Sequence, residues 1–167
     1  GAGEDITILD AEQTGRVITM DNCDNNIISD LTITGGGNTV DNAGGGMYIR
    51  NYSNPMLINV TISENTADFG GGIYVRDNSN PTLIDVTISG NSADWGGGMS
   101  LISSDPTLTD VIISGNSANN GGGIGLHNSN PTLTDVIVTY NMALSKGGGI
   151  YCMSNAPFTS NSSLNDL

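Results

Sequence analysis

Three consecutive glycines recur at a fixed distance along this chain, and that period constrains the fold more than any other feature. The last glycine of each regularly spaced triplet is Gly46, Gly72, Gly98, Gly123 and Gly149, at spacings of 26, 26, 25 and 26. Pro55, Pro81, Pro106, Pro131 and Pro157 keep step, and from proline to the next repeated asparagine (Asn65, Asn91, Asn116, Asn141) the interval is always ten residues. A constant segment with elastic connections is the signature of stacked units.

Within a unit the apolar period is two, and β-branched residues dominate. "GGGIYVR" alternates Ile73 and Val75 with Tyr74 and Arg76, and "PTLIDVTIS" sets Leu83, Val86 and Ile88 to one side. These are short strands, not helices. A unit this small cannot bury its own apolar face, but a copy stacked about 4.8 Å away aligns like with like. The expected inward columns are Met47, Ile73, Met99, Ile124, Ile150; Ile49, Val75, Leu101, Leu126, Cys152; and Val60, Val86, Val111, Val136.

The corners follow the same logic. Asn65, Asn91, Asn116 and Asn141 are expected to form an amide ladder, each side chain bonding its copies above and below. Ala67, Ala93, Ala118 and Ala143 fit where there is room for a methyl only. The glycine triplets supply backbone angles and close approach at a bend. They recur five times, precede a strand and lack the lysine of a phosphate-binding loop, so they read as scaffold.

The "GGGI" and "SxNxA" repeats are similar to the GGAI and FxxN repeats of polymorphic outer-membrane proteins, and residues 44–157 resemble the right-handed parallel β-helix families. The resemblance implies an all-β, right-handed parallel β-helix of about six rungs, secreted or surface-exposed, often a passenger or stalk, and does not imply an enzyme. Residues 1–167 are expected to be one domain: irregular N-terminal turns over 1–43, regular repeats over 44–157 and an irregular end over 158–167. "ITILD", "RVITMD" and "ISDLTITG" read as strands of the preceding turns.

Seventeen acidic residues face four basic ones, Arg16, Arg50, Arg76 and Lys146, for a net charge of −13. Nucleic acid is not expected as a partner, because phosphate neutralisation needs clustered Lys and Arg. No apolar run is long enough for a membrane-spanning helix. Cys23 and Cys152 fall about five rungs, or ~24 Å, apart and are not expected to pair. Cys152, in an inward column, is expected in the core. His127 is a lone surface histidine in the column of Arg50, Arg76, Ile102 and Met153.

Three outward surfaces are candidates. Tyr48, Arg50, Tyr74 and Arg76 share a strip bordered by Phe69 and Trp95; aromatic faces with guanidinium forks suit sugars and carboxylates. The plainer alternative is a pair of cross-rung ladders in which Arg shields Tyr. Asp85, Asp110 and Asp135 continue the column of Asp30 and Asn59. Their repulsion calls for Asx-type turns, with carboxylates accepting backbone N–H bonds, or for a bound Ca²⁺. The pairs Thr32, Thr34; Thr61, Ser63; Thr87, Ser89; Ile112, Ser114; and Ile137, Thr139 form a regular strand face free of charge. Strand propensity alone favours Thr there.

The preferred function is a non-catalytic extracellular or cell-surface segment, structural, adhesive or self-assembling, with a carbohydrate or surface as partner and no catalytic residue assigned. One alternative is a polysaccharide lyase or glycoside hydrolase, for which Arg76 with Asp77 is the only close basic–acidic pair on the helix surface. The other is ice binding by the Thr/Ser/Ile face. Gly1 to Glu4 offers no evident cap, and Thr159 and Ser162 stand where earlier rungs place Leu133 and Val136, so end-to-end stacking of copies is expected as an alternative to a longer chain. Asn51, Asn59 and Asn161 match the glycosylation pattern.

Overall fold

The computed structural model describes residues 7–37 and 41–153; the two chain ends and their expected features lie outside the described residues. The first turns carry β1 (Thr7–Asp10), β2 (Ile18–Asp21) and β3 (Asp24–Thr34), then β4 (Met47–Arg50) and β5 (Asn54–Ser63). The next turn holds β6 (Ile73–Arg76), β7 (Thr82–Ser89) and β8 (Ser92–Trp95), and the one after it β9 (Met99–Ile102), β10 (Thr107–Thr109), β11 (Ile112–Ser114) and β12 (Ser117–Asn120). The last are β13 (Ile124–His127), β14 (Thr132–Thr134), β15 (Ile137–Thr139), β16 (Met142–Lys146) and β17 (Ile150–Met153).

Each strand pairs in parallel with its copy one turn along, giving three sheets. The glycine sheet runs β17-β13-β9-β6-β4-β2, six strands deep. The proline sheet runs β1-β3-β5-β7-β10-β14 with β11 and β15 alongside, and a small third sheet runs β16-β12-β8. Register is what makes the core: Val60 pairs with Val86, Leu57 with Leu83, and Ile73 with both Met47 and Met99. A slip of one residue would turn every one of these side chains outward. Met47, Ile49, Leu57, Ile73, Val75, Leu83 and Met99 are wholly buried in a single enclosed cluster, with Val60, Val86 and Val111.

Besides the bend after each glycine-sheet strand, where Asn51, Asp77, Ser103 and Asn128 have positive φ, three kinds of bend shape each turn. Asp30, Asn59, Asp85, Asp110 and Asp135 all have φ between 52° and 57°, the left-handed region that Asp and Asn tolerate best. The residues flanking this point, Leu57 with Val60 or Leu83 with Val86, both face the core. The strand therefore turns about one left-handed residue without losing its inward alternation. At the second bend the expected amide ladder is present: Asn65 N and Nδ2 both donate to Asn91 Oδ1 at 3.0 Å, and Asn91 and Asn116 repeat the pattern toward Asn116 and Asn141.

The third bend is the triplet, whose members do different things. Gly70 has φ +59°, whereas Gly72 has no need of unusual torsion; a Cβ there would stand 2.6 Å from the Gly98 carbonyl oxygen of the next turn. None of the three has room for a side chain, a Cβ at Gly70 standing 2.3 Å from the Ile73 carbonyl oxygen, and the first alone also supplies the left-handed angle.

Candidate functional site

The Tyr/Arg strip exists, but it is closed. Tyr48 and Tyr74 point out of the glycine sheet, yet they are 4% and 6% exposed. Their rings stack at 5.1 Å, Phe69 leans on Tyr74 at 6.0 Å, and Ala43 and Ile102 complete a second small hydrophobic cluster. Arg16 lies over Tyr48 at 4.5 Å and Arg50 at 5.1 Å. The sequence reading did not place Arg16 here; it reaches across from the turn before β2 and bonds Gly44 O, Ala43 O and the Asp41 carboxylate. The shielded-ladder arrangement is the one found, so these two tyrosines offer no open face to a sugar ring.

Each arginine on the strip also meets a carboxylate: Arg16 with Asp41, Arg50 with Asp21 at 2.8 Å, and Arg76 with Asp77 at 2.9 Å. Hydrogen bonds from Asn51 and then Arg50 hold the Asp21 carboxyl below its usual range. Burial pushes the Tyr74 phenol above its usual range, with nearby Arg76 opposing. Arg76 and Asp77, the pair on which a lyase reading would rest, serve each other.

Trp95 stands apart from Tyr48 and Tyr74. The outward column of the glycine sheet reads Thr19, Tyr48, Tyr74, Ser100, Gly125, Tyr151. Trp95 fills the dip at Gly125, where a Cβ would collide with its indole, and packs on Tyr151 at 5.1 Å. Lys146 lies 5.5 Å over Tyr151. The chain's four basic residues therefore all gather along this one side.

Asp85, Asp110 and Asp135 are exposed, and among the described residues their carboxylates form no hydrogen bond that would make an Asx turn. Their backbone torsion, not a side-chain acceptor, is what the bend requires. Asp30 alone is tied down: Asn59 Nδ2 donates to it at 2.9 Å and, with Ser29, lowers its pKa. Among the described residues no three His, Cys, Asp or Glu side chains converge as a metal site. The repulsion between exposed neighbours is relieved by solvent screening.

The Thr/Ser/Ile face is built in strict register. Thr32, Thr61, Thr87, Ile112 and Ile137 follow one another in one column, and Thr34, Ser63, Ser89, Ser114 and Thr139 in the next. The hydroxyl-bearing members are half-buried; Ile112 and Ile137 are exposed. Cys152 departs from expectation. It pairs with Leu126 in the inward column, but no described rung lies beyond it, and it is exposed; both cysteines are free.

Two further ladders escaped the sequence reading. Backbone N–H groups of Ser53, Ser79 and Ser104 donate to the hydroxyls of Ser79, Ser104 and Ser129, all buried. Beside them, Asn80, Asp105 and Asn130 N–H groups donate back to Asn54, Asn80 and Asp105 side-chain oxygens. The Ser-Asn/Asp pair before Pro55, Pro81, Pro106 and Pro131 was the available signal.

Parallel sheets wound around one enclosed core, with side-chain ladders at the bends, define a parallel β-helix. Residues 4–164 match the family described as right handed beta helix region, and the chain belongs to it. No curated protein and no solved structure matches the chain.

Proposed function

We propose that the chain is a non-catalytic segment of an extracellular or cell-surface protein, structural and adhesive in role, that lays its Thr/Ser/Ile face against an extended neutral polysaccharide. The observation that carries this reading is the unbroken register of the Thr32–Ile137 and Thr34–Thr139 columns, which presents methyl and hydroxyl groups about every 4.8 Å without a charged side chain among them. A repeating partner meets the same contacts at every rung, so weak contacts add along the stack. The similarity to polymorphic outer-membrane protein repeats supports a surface location.

Sedimentation with insoluble neutral polysaccharides such as cellulose and chitin tests it. The protein is expected in the pellet, and Thr61→Lys with Thr87→Lys is expected to release it while leaving the far-UV circular dichroism unchanged. A protein that stays in the supernatant with every polymer, or a double variant that binds as well as the parent, overturns the reading. Thermal hysteresis abolished by the same double variant would transfer the face to ice.

A further inference from the structure

The outward face changes toward the last described turns. On β11 and on the turn that holds β14 to β16, outward positions that are polar or glycine elsewhere become apolar. Thr87 gives way to Ile112 and Ile137, Ser117 to Met142, and Tyr140 occupies the left-handed position held by Gly90 and Gly115. Asn119 and Leu144 are the following outward residues of β12 and β16. Ile137 is 55% exposed, Met142 60%, Leu144 79% and Tyr140 90%. Tyr140 keeps a φ of 52° with its ring in solvent, a torsion that glycine would hold without strain. Contiguous apolar surface of this kind marks a protein interface.

Charge argues for the occupant. Residues 129–153 carry one acid, Asp135, and one base, Lys146, whereas residues 1–128 carry fifteen acids against three arginines. A second copy is repelled by almost every part of this molecule except the neutral turn. We infer that two copies associate side by side through Ile112, Ile137, Tyr140, Met142 and Leu144, a two-fold contact in which each strip covers the other. The pairing shares Ile112 and Ile137 with the column laid against the polysaccharide but leaves Thr61 and Thr87 uncovered, so the Thr61/Thr87 variant tests that reading and the Met142/Leu144 variant tests this one.

Sedimentation velocity over a wide concentration range tests the inference on the whole chain. A monomer–dimer equilibrium is expected, and it should tighten with added salt, because salt screens repulsion between acidic bodies but does not weaken an apolar contact. Met142→Lys with Leu144→Lys should raise the dimer dissociation constant at least about tenfold. Both side chains are exposed, so circular dichroism and thermal melting should match the parent. Monomer at every concentration, open-ended polymers instead of dimers, dimers that dissociate in salt, or dimers indifferent to the double variant would each overturn it.

Discussion

Gly72 and Gly90 look alike in the sequence and differ in what they do. Gly90 has φ +65° but open space, its nearest other atom being Glu64 N at 4.0 Å, and the same column elsewhere holds Glu64 and Tyr140. Gly72 faces a carbonyl oxygen of the adjoining turn, and backbone cannot step aside. Gly90→Ala should therefore cost about 1 kcal/mol, the ordinary cost of left-handed torsion. Gly72→Ala should cost about 3 kcal/mol through forced backbone displacement. Urea unfolding of the two variants separates them, and equal losses would show that the crowding at Gly72 costs no more than left-handed torsion does at Gly90. That the glycines bend the chain was legible from their period, but that Gly72 is crowded by a carbonyl 26 residues away in sequence was not. The same limit hid Arg16, whose partners Tyr48 and Asp41 lie in another turn.

Ladders, not strands alone, make each element specific. Asn91 is 1% exposed; its Oδ1 accepts from Asn65 N and Nδ2, and its Nδ2 donates to Ile62 O and Asn116 Oδ1, all at 3.0 Å. Removing that amide strands buried donors and acceptors on both adjoining turns. Asn91→Ala should cost about 3–5 kcal/mol, counting about 1–3 kcal/mol for each buried group left unpaired. Asn80→Ala, in the exposed ladder beside Asn54 and Asp105, should cost less than about 1 kcal/mol, because water replaces what is lost. Denaturant midpoints for the pair give the check, and similar shifts would mean burial does not set ladder strength. The asparagine ladder was readable because its spacing from proline never varies. The serine ladder repeats just as faithfully, but in a chain rich in Ser and Asn the residue type carries little signal without its burial. The Tyr48–Tyr74 strip was placed correctly on the outside of its strand; its closure by Phe69 and Arg16 arises between turns and has no local pattern.

Across the described residues, strand pairing links each turn to its immediate neighbours, and only a few side chains, such as Trp95 against Tyr151, reach one turn further, so stability has to vary along the stack. The middle is the tightest part: Ile49, Leu57, Ile73, Val75, Leu83, Ile88 and Met99 are fully buried. Toward the N-terminal side Ile8 is 57% and Leu9 37% exposed, and toward the other side Leu133, Val136 and Ile150 are only partly buried. A stack of this kind opens from its ends, each lost turn exposing the next. Amide hydrogen exchange should therefore be slowest in β6, β7 and β9, faster in β4 and β13, and fastest in β1 and β16. Introducing Asn91→Ala should speed exchange in β5 to β9, on both sides of the missing amide, while leaving β1 close to its original rate. Uniform protection along the chain, or an Asn91→Ala effect spread equally over every strand, would instead mean that the turns fold as one all-or-none unit, and that the side-chain ladders couple the stack over its full described length.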